Sequence, residues 1–356
     1  MLKVKRNQLQ EGCILAKDIY LEASQPLMKK NTVLFEEHLF VLSKFLVAEA
    51  WVEKNLINGA TYIPSEIVEE ETNERERFID VYLLAVKNYK KQFQLWRSGE
   101  KINLNEVTAI IKPVIERVIN HPNEITMLHH LGIKEDYLYH HAISVAVLSA
   151  FIGYKKKLTE IEWMELGLAG ALIDCGMCKI SARVTNKNEP LDEEEYELIR
   201  KHPVYGYRML KELPYVKDTI LLAVLQHHER EDGTGYPLGL KGNKIHLYGK
   251  IVAVADIYHA MTSERYYRTK QSPYRVLEAI SKDHFGMLSH DIVQTLMNSL
   301  LAFTVGTRVR LTGGRDAEIV FIDQKNPTRP MVKLNHSEEI IDLSKKLDIH
   351  IDEVLI

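Results

Sequence analysis

Two histidines stand side by side, His227 and His228, at the end of an apolar run that begins at Ile220. On a helix, Ile220, Val224, His227 and His228 share one face, so both imidazoles would point toward a core. An imidazole aimed inward needs a partner, and a metal ion can use two at once. The plainer alternative, for either ring alone, is a histidine satisfied within the core. The segment that follows, Glu229-Arg230-Glu231-Asp232-Gly233-Thr234-Gly235-Tyr236-Pro237, ends as a turn, since glycine admits positive φ and proline stops a continuing helix. A tight loop with exposed backbone, set beside a metal, lets phosphate oxygens come close.

Four more residues with ligand chemistry lie in apolar helical patterns: His141, Asp174, His202 and Asp256. Asp256 interrupts the run Ile251 to Ile257, where an ionised carboxylate is costly to bury without a partner. Six such residues on five predicted helices point to a common polar centre inside a bundle, as in metal sites built from facing helices. Nitrogen and carboxylate donors without thiolates suit iron, manganese or zinc.

The run His227 to Pro237 reads HHExxDGxGYP. It resembles the signature of the HD-GYP family, bacterial metal-dependent phosphodiesterases that act on cyclic di-GMP. The resemblance spans about residues 125 to 302. It implies an HD-superfamily helical bundle in which His141, Asp174, His202, His227, His228 and Asp256 hold one or two divalent ions. Asp174 would bridge the ions and serve as the catalytic carboxylate. Substrate contacts would fall to Gly235, Tyr236 and Pro237 and to two arginines, Arg265 and Arg268. Three apart at a helix end, these can both reach phosphates, although solvated surface arginines would show the same spacing. Tyr236 would stack on guanine or simply pack the turn.

The pattern is not intact. The family's His-Asp pair reads Ile173-Asp174 here, its usual lysine is Met177 with Lys179 two residues on, and His259 stands where members often carry a second Asp. The resemblance therefore implies hydrolysis of cyclic di-GMP to pGpG or GMP, with activity reduced by the lost histidine. The alternative is an inactive module that binds the dinucleotide or a protein partner in bacterial signalling.

These residues need elements to position them. Helices are expected over 137–153 and 161–174, from an Asp192 N-cap toward His202 with Pro203 as an interruption, from Ile220 through His228, and over 250–261. The expected fold is mainly α, with the helical bundle at 125–302. A small α/β or β-rich cap at 1–62 and a helical connector at 63–124 precede it, and a small β-barrel-like domain at 303–356 follows. In the cap, 36–46 reads as a helix and 48–52 as a strand. In the connector, Phe78, Tyr82, Val86, Tyr89, Phe93 and Trp96 recur at helical spacing and read as core packing, with a role in homodimer formation open.

A net charge of −3 leaves no basic footprint for duplex nucleic acid. No apolar run approaches the roughly 20 residues of a membrane span, and the first residues lack a signal-peptide core, so a cytoplasmic protein is expected. Three cysteines make no disulfide framework. Cys175-Gly176-Met177-Cys178 is either a redox or zinc half-site or, more plainly, a pair of small buried thiols.

Overall fold

The computed structural model describes residues 1–356 except 21–25, 36, 37, 40, 43–46, 48, 65–73, 133–135, 186, 188, 264–270, 283–285, 302, 324, 325, 336, 338 and 356. The chain divides into two compact units, Met1–Leu84 and Ala85–Ile356. The division falls inside helix α1, Glu74–Ser98.

In the first unit, strand β1 (Leu2–Lys5) pairs antiparallel with β4 (Glu49–Val52), and β2 (Ile19–Tyr20) with β3 (Pro26–Met28). Alternation turns Val4, Ala50 and Val52 inward, where they join Leu15, Leu34 and Leu42 in one apolar cluster. The expected helix over 36–46 lies largely outside the described residues.

In the second unit the aromatic stripe behaves as its spacing predicts, with Tyr89, Phe93 and Trp96 almost fully buried. Helix α2 (Leu104–Asn120) starts at Asn103, whose side chain accepts from the amides of Asn105 and Glu106. Next come α3 (Tyr137–Lys155) and α4 (Glu160–Leu172), the latter opened by a Thr159–Glu162 capping box. Every residue of α3 from His140 to Gly153 is buried, as expected of a helix at the centre of a bundle, and α2, α4 and α8 (Leu247–Thr262) pack around it.

The bundle is completed by α5 (Glu193–Ile199), α6 (His202–Lys211), α7 (Asp218–Gln226), α9 (Pro273–Lys282) and α10 (His290–Leu300). Asp192 caps α5 as expected. Pro203, however, does not interrupt a helix. The break comes at Arg200 and Lys201, and Pro203 sits in the first turn of α6, where its missing N–H costs nothing. No described helix is long and apolar enough to cross a membrane.

The chain ends in a five-stranded antiparallel sheet ordered β8-β7-β6-β5-β9. Its strands are β5 (Arg308–Leu311), β6 (Arg315–Phe321), β7 (Met331–Leu334), β8 (Ile340–Asp342) and β9 (Ile351–Leu355). Alternation buries Val309, Leu311, Ala317, Ile319 and Val332 on one face. Strands β8 and β9 lie at its two ends, and no pairing joins them among the described residues.

Candidate metal centre

The six candidate ligands meet although they come from well-separated parts of the chain. His141 lies one turn inside the start of α3, and Asp256 in mid-α8. Contrary to the expectation that all six sit on helical faces, the other four gather at helix ends. His202 opens α6, His227 is the C-cap of α7 with His228 just beyond it, and Asp174 caps a short 3-10 turn, Cys175–Lys179, after α4.

Close backbone packing makes this meeting possible. Gly176, in that turn, lies so near the start of α6 that a Cβ would overlap the His202 carbonyl oxygen and the Gly206 amide. Only glycine lets Asp174 and His202 come together there.

The contacts form a closed ring. Asp256 Oδ1 is 3.0 Å from His141 Nε2, and its Oδ2 is 3.7 Å from His228 Nδ1. Asp174 faces both halves, with Oδ2 3.7 Å from His141 Nε2 and Oδ1 3.2 Å from His202 Nε2. His202 Nε2 is 3.1 Å from His227 Nε2, and the His227 and His228 rings are 4.1 Å apart at their centroids. His202, His227 and His228 offer ligand atoms all within 4.8 Å of one another.

The tautomers of two rings are set by their surroundings. His202 Nδ1 lies 2.7 Å from the Ile199 carbonyl and His227 Nδ1 2.8 Å from that of Val224. A carbonyl only accepts, so each Nδ1 carries the proton and, in the neutral ring, each Nε2 carries a lone pair. Burial drives His227 and His228 toward neutrality, taking His227 down to about 4 and His228 well below the ordinary imidazole value. Two lone pairs 3.1 Å apart, with an Asp174 oxygen 3.2 Å from one of them, are converging acceptors with no donor between them. Such a donor set fits a divalent cation. Burial alone would raise Asp256, but its hydrogen bond to His141 and the nearby imidazoles outweigh burial and hold it well below the usual carboxylate range.

The loop after His228 is tied down by a residue that sequence reasoning had not singled out. Glu229 is buried, and its two oxygens accept the amides of Leu238 (2.7 Å) and Leu240 (2.8 Å). An acid immediately after two inward-facing histidines was the available signal. Gly235 folds back against this turn so closely that a Cβ would collide with the His228 carbonyl oxygen and the Arg230 amide. The Tyr236 amide donates to the His228 carbonyl oxygen at 3.1 Å.

The Tyr236 ring stacks on His228, 4.6 Å between centroids, and the Arg200 guanidinium lies 4.7 Å above Tyr236. Tyr236 therefore packs the site wall. Pro237 follows it in the same loop, while Arg265 and Arg268 lie outside the described residues. Cys175 and Cys178 are free and buried, and burial raises both thiols, which suits inert packing groups. Ile173, where the family pattern places a histidine, is fully buried.

Residues 126–285 match the family described as HD domain. A cyclic di-GMP phosphodiesterase of Pseudomonas aeruginosa is 30% identical over 259 residues, covering 70% of this chain and 62% of that protein. The cyclic di-GMP phosphodiesterase PdeB of Borreliella burgdorferi is 24% identical over 338 residues, covering 92% of this chain and 89% of its own length. The chain thus spans less than two thirds of the Pseudomonas relative and most of the Borreliella one. Among solved structures, an HDG"Y"P protein from Bdellovibrio bacteriovorus shares the fold, with a TM-score of 0.57, 16% identity, and coverage of 84% of this chain and 99% of that one. Motif, fold and relatives agree, and the chain belongs to the HD-GYP family of HD-domain proteins.

Proposed function

We propose that this protein is a metal-dependent phosphodiesterase that hydrolyses cyclic di-GMP, or a closely related cyclic dinucleotide, to the linear dinucleotide pGpG or to GMP. The observation that carries the reading is the convergence of acceptors: His202 Nε2 and His227 Nε2, 3.1 Å apart, with Asp174 Oδ1 3.2 Å from the first. His202, His227, His228 and Asp174 would hold one divalent ion, iron, manganese or zinc, and His141, Asp174 and Asp256 a second. Such ions supply Lewis acidity toward a phosphodiester and its attacking water.

The chain's own groups do the rest. Backbone carbonyls at Ile199 and Val224 keep two imidazoles presenting Nε2. Asp174 joins the two halves through its separate oxygens. Tyr236 covers His228 and keeps water from that side, while Gly235 and Pro237 shape the loop beside it. Arg265 and Arg268 are assigned to the substrate phosphates, because paired guanidinium groups suit that charge and geometry. A cytoplasmic setting agrees with three free cysteines.

A second reading, binding without turnover, is favoured by Ile173, which cannot ligate. The test is turnover of cyclic di-GMP by protein loaded with manganese or iron, beside His228→Ala. Removing a buried ligand should cost more than the roughly 10–100-fold typical of losing a residue that only supports a ligand. Binding without turnover in the wild type selects the second reading, and neither binding nor turnover removes both.

A further inference from the structure

The three imidazoles His141, His202 and His227 are oriented by different means. His202 and His227 sit at helix ends, where carbonyls left over by the helix, those of Ile199 and Val224, are free to take their Nδ1 protons. His141 sits one turn inside α3, where the backbone carbonyls are consumed by the helix itself. It must find a side chain.

It finds His259, whose Nδ1 is 2.9 Å from His141 Nδ1. His259 is 1% exposed and stands three residues after Asp256 on α8, on the same helical face. A single turn of α8 therefore meets both edges of the His141 ring. Asp256 takes Nε2 at 3.0 Å, and His259 takes Nδ1. Behind His259, the Ser263 hydroxyl lies 3.1 Å from its Nε2, and the Tyr137 hydroxyl flanks His141 Nδ1 at 3.1 Å.

We propose that His259 is a positioning residue: it fixes the orientation and tautomer of His141 so that Nε2 presents its lone pair toward Asp256 and Asp174. For Nε2 to ligate, the His141 proton must lie on Nδ1, and His259 Nδ1 accepts it. His259 then carries its own proton on Nε2, facing Ser263. An imidazole cannot itself join the same ion from this place, because it lies at the opposite edge of the His141 ring from the two carboxylates. His259 thus compensates, through order rather than through an added bond, for the ligand missing at Ile173. This inference rests on the reading of the site as a metal centre.

The test uses the full chain and manganese(II) alone, so that no result depends on the nucleotide. Equilibrium dialysis with elemental analysis compares wild type, His141→Ala, His259→Leu and His259→Asn, each checked for native far-ultraviolet circular dichroism. Asparagine places an amide atom near where the imidazole Nδ1 stands; leucine fills space without accepting.

The wild type should hold an ion that His141→Ala removes. His259→Leu should weaken that ion by roughly 10–100-fold while leaving the His202/His227/His228 ion in place, and His259→Asn should restore it to within a few-fold. Wild-type affinity in His259→Leu overturns the proposal, as does equal loss in the asparagine variant or loss of both ions together. If wild type and His141→Ala bind alike through the His202 cluster, the proposal fails while the metal reading stands. If the wild type takes up no manganese at all, the metal reading fails too.

Discussion

At the scale of the residue, the site's chemistry follows from where each proton is forced to sit. Carbonyl acceptors hold Nδ1–H on His202 and His227, burial keeps His227 neutral, and the Nε2 atoms that converge with Asp174 form a donor set that suits a cation. The six candidate ligands stood out in the sequence because acids and imidazoles inside apolar runs are conspicuous, Asp256 above all. Glu229 was not singled out, and His259 was noted only as a departure from the pattern with no role, since each supports another group and support depends on contacts that spacing does not reveal. Ile173 was legible as a departure from the pattern, and it yields a prediction. Ile173→His should raise the metal affinity of the centre formed by His141, Asp174 and Asp256, and with it the rate of cyclic di-GMP hydrolysis. The cost of reshaping a fully buried position is about 1–3 kcal/mol of stability. Metal per chain and turnover, measured beside the wild type, check it. Equal values in both would show that this isoleucine does not limit the site.

At the scale of the element, helices were readable from stripes and caps, and helix ends were not. Asp192 announced α5 through its capping box, and the stripe to Trp96 announced α1. The end of α7 was placed too late, because His227 and His228 continue its apolar periodicity although the helix stops at Gln226. The early stop matters, since it leaves the Val224 carbonyl for His227 and lets the chain turn at Glu229. That turn is an element in its own right, pinned by one carboxylate to the amides of Leu238 and Leu240. Glu229→Ala would leave two amides without their acceptor, at about 1–3 kcal/mol for each that stays buried. The expected outcome is a lower urea midpoint together with weaker metal retention, as the loop holding Tyr236 against His228 loosens. Glu229→Gln, which can keep one of the two bonds, should fall between. A stability loss with metal retention unchanged would show that the loop and the centre are independent.

At the scale of the whole molecule, the C-terminal sheet reads in sequence as a separate module, yet it shares one compact unit with the helices. Its alternating strands were legible, whereas the tie to the bundle was not, because it runs through a loop arginine with no periodic signature. Arg329 is 5% exposed and donates to Glu278 of α9 at 2.7 Å, to the carbonyls of Leu343, Lys346 and Ile349, and to His350. Ser272, beside the start of α9, adds a hydrogen bond to the Ile351 carbonyl, and the Tyr274 ring packs at a tilt against Phe303. Burial pushes Glu278 up, but Arg329 and Lys282 outweigh it and hold the carboxyl below its ordinary value. A depressed carboxylate stabilises the fold above its unfolded value of 4.5, and that contribution is lost as pH falls through the folded value. Arg329→Met leaves Glu278 with Lys282 alone and strips the Leu343, Lys346 and Ile349 carbonyls of their donor, so it should cost about 1–3 kcal/mol near neutral pH for each group left buried and unpaired. The deficit should narrow as pH falls through the folded value of Glu278, because the carboxylate then loses the charge that needs a partner. Urea unfolding of wild type and variant at pH 7 and at pH 3 reads both statements. A deficit that stays constant with pH would assign the clamp to the arginine's carbonyl bonds alone, and no deficit at all would free the sheet from the bundle.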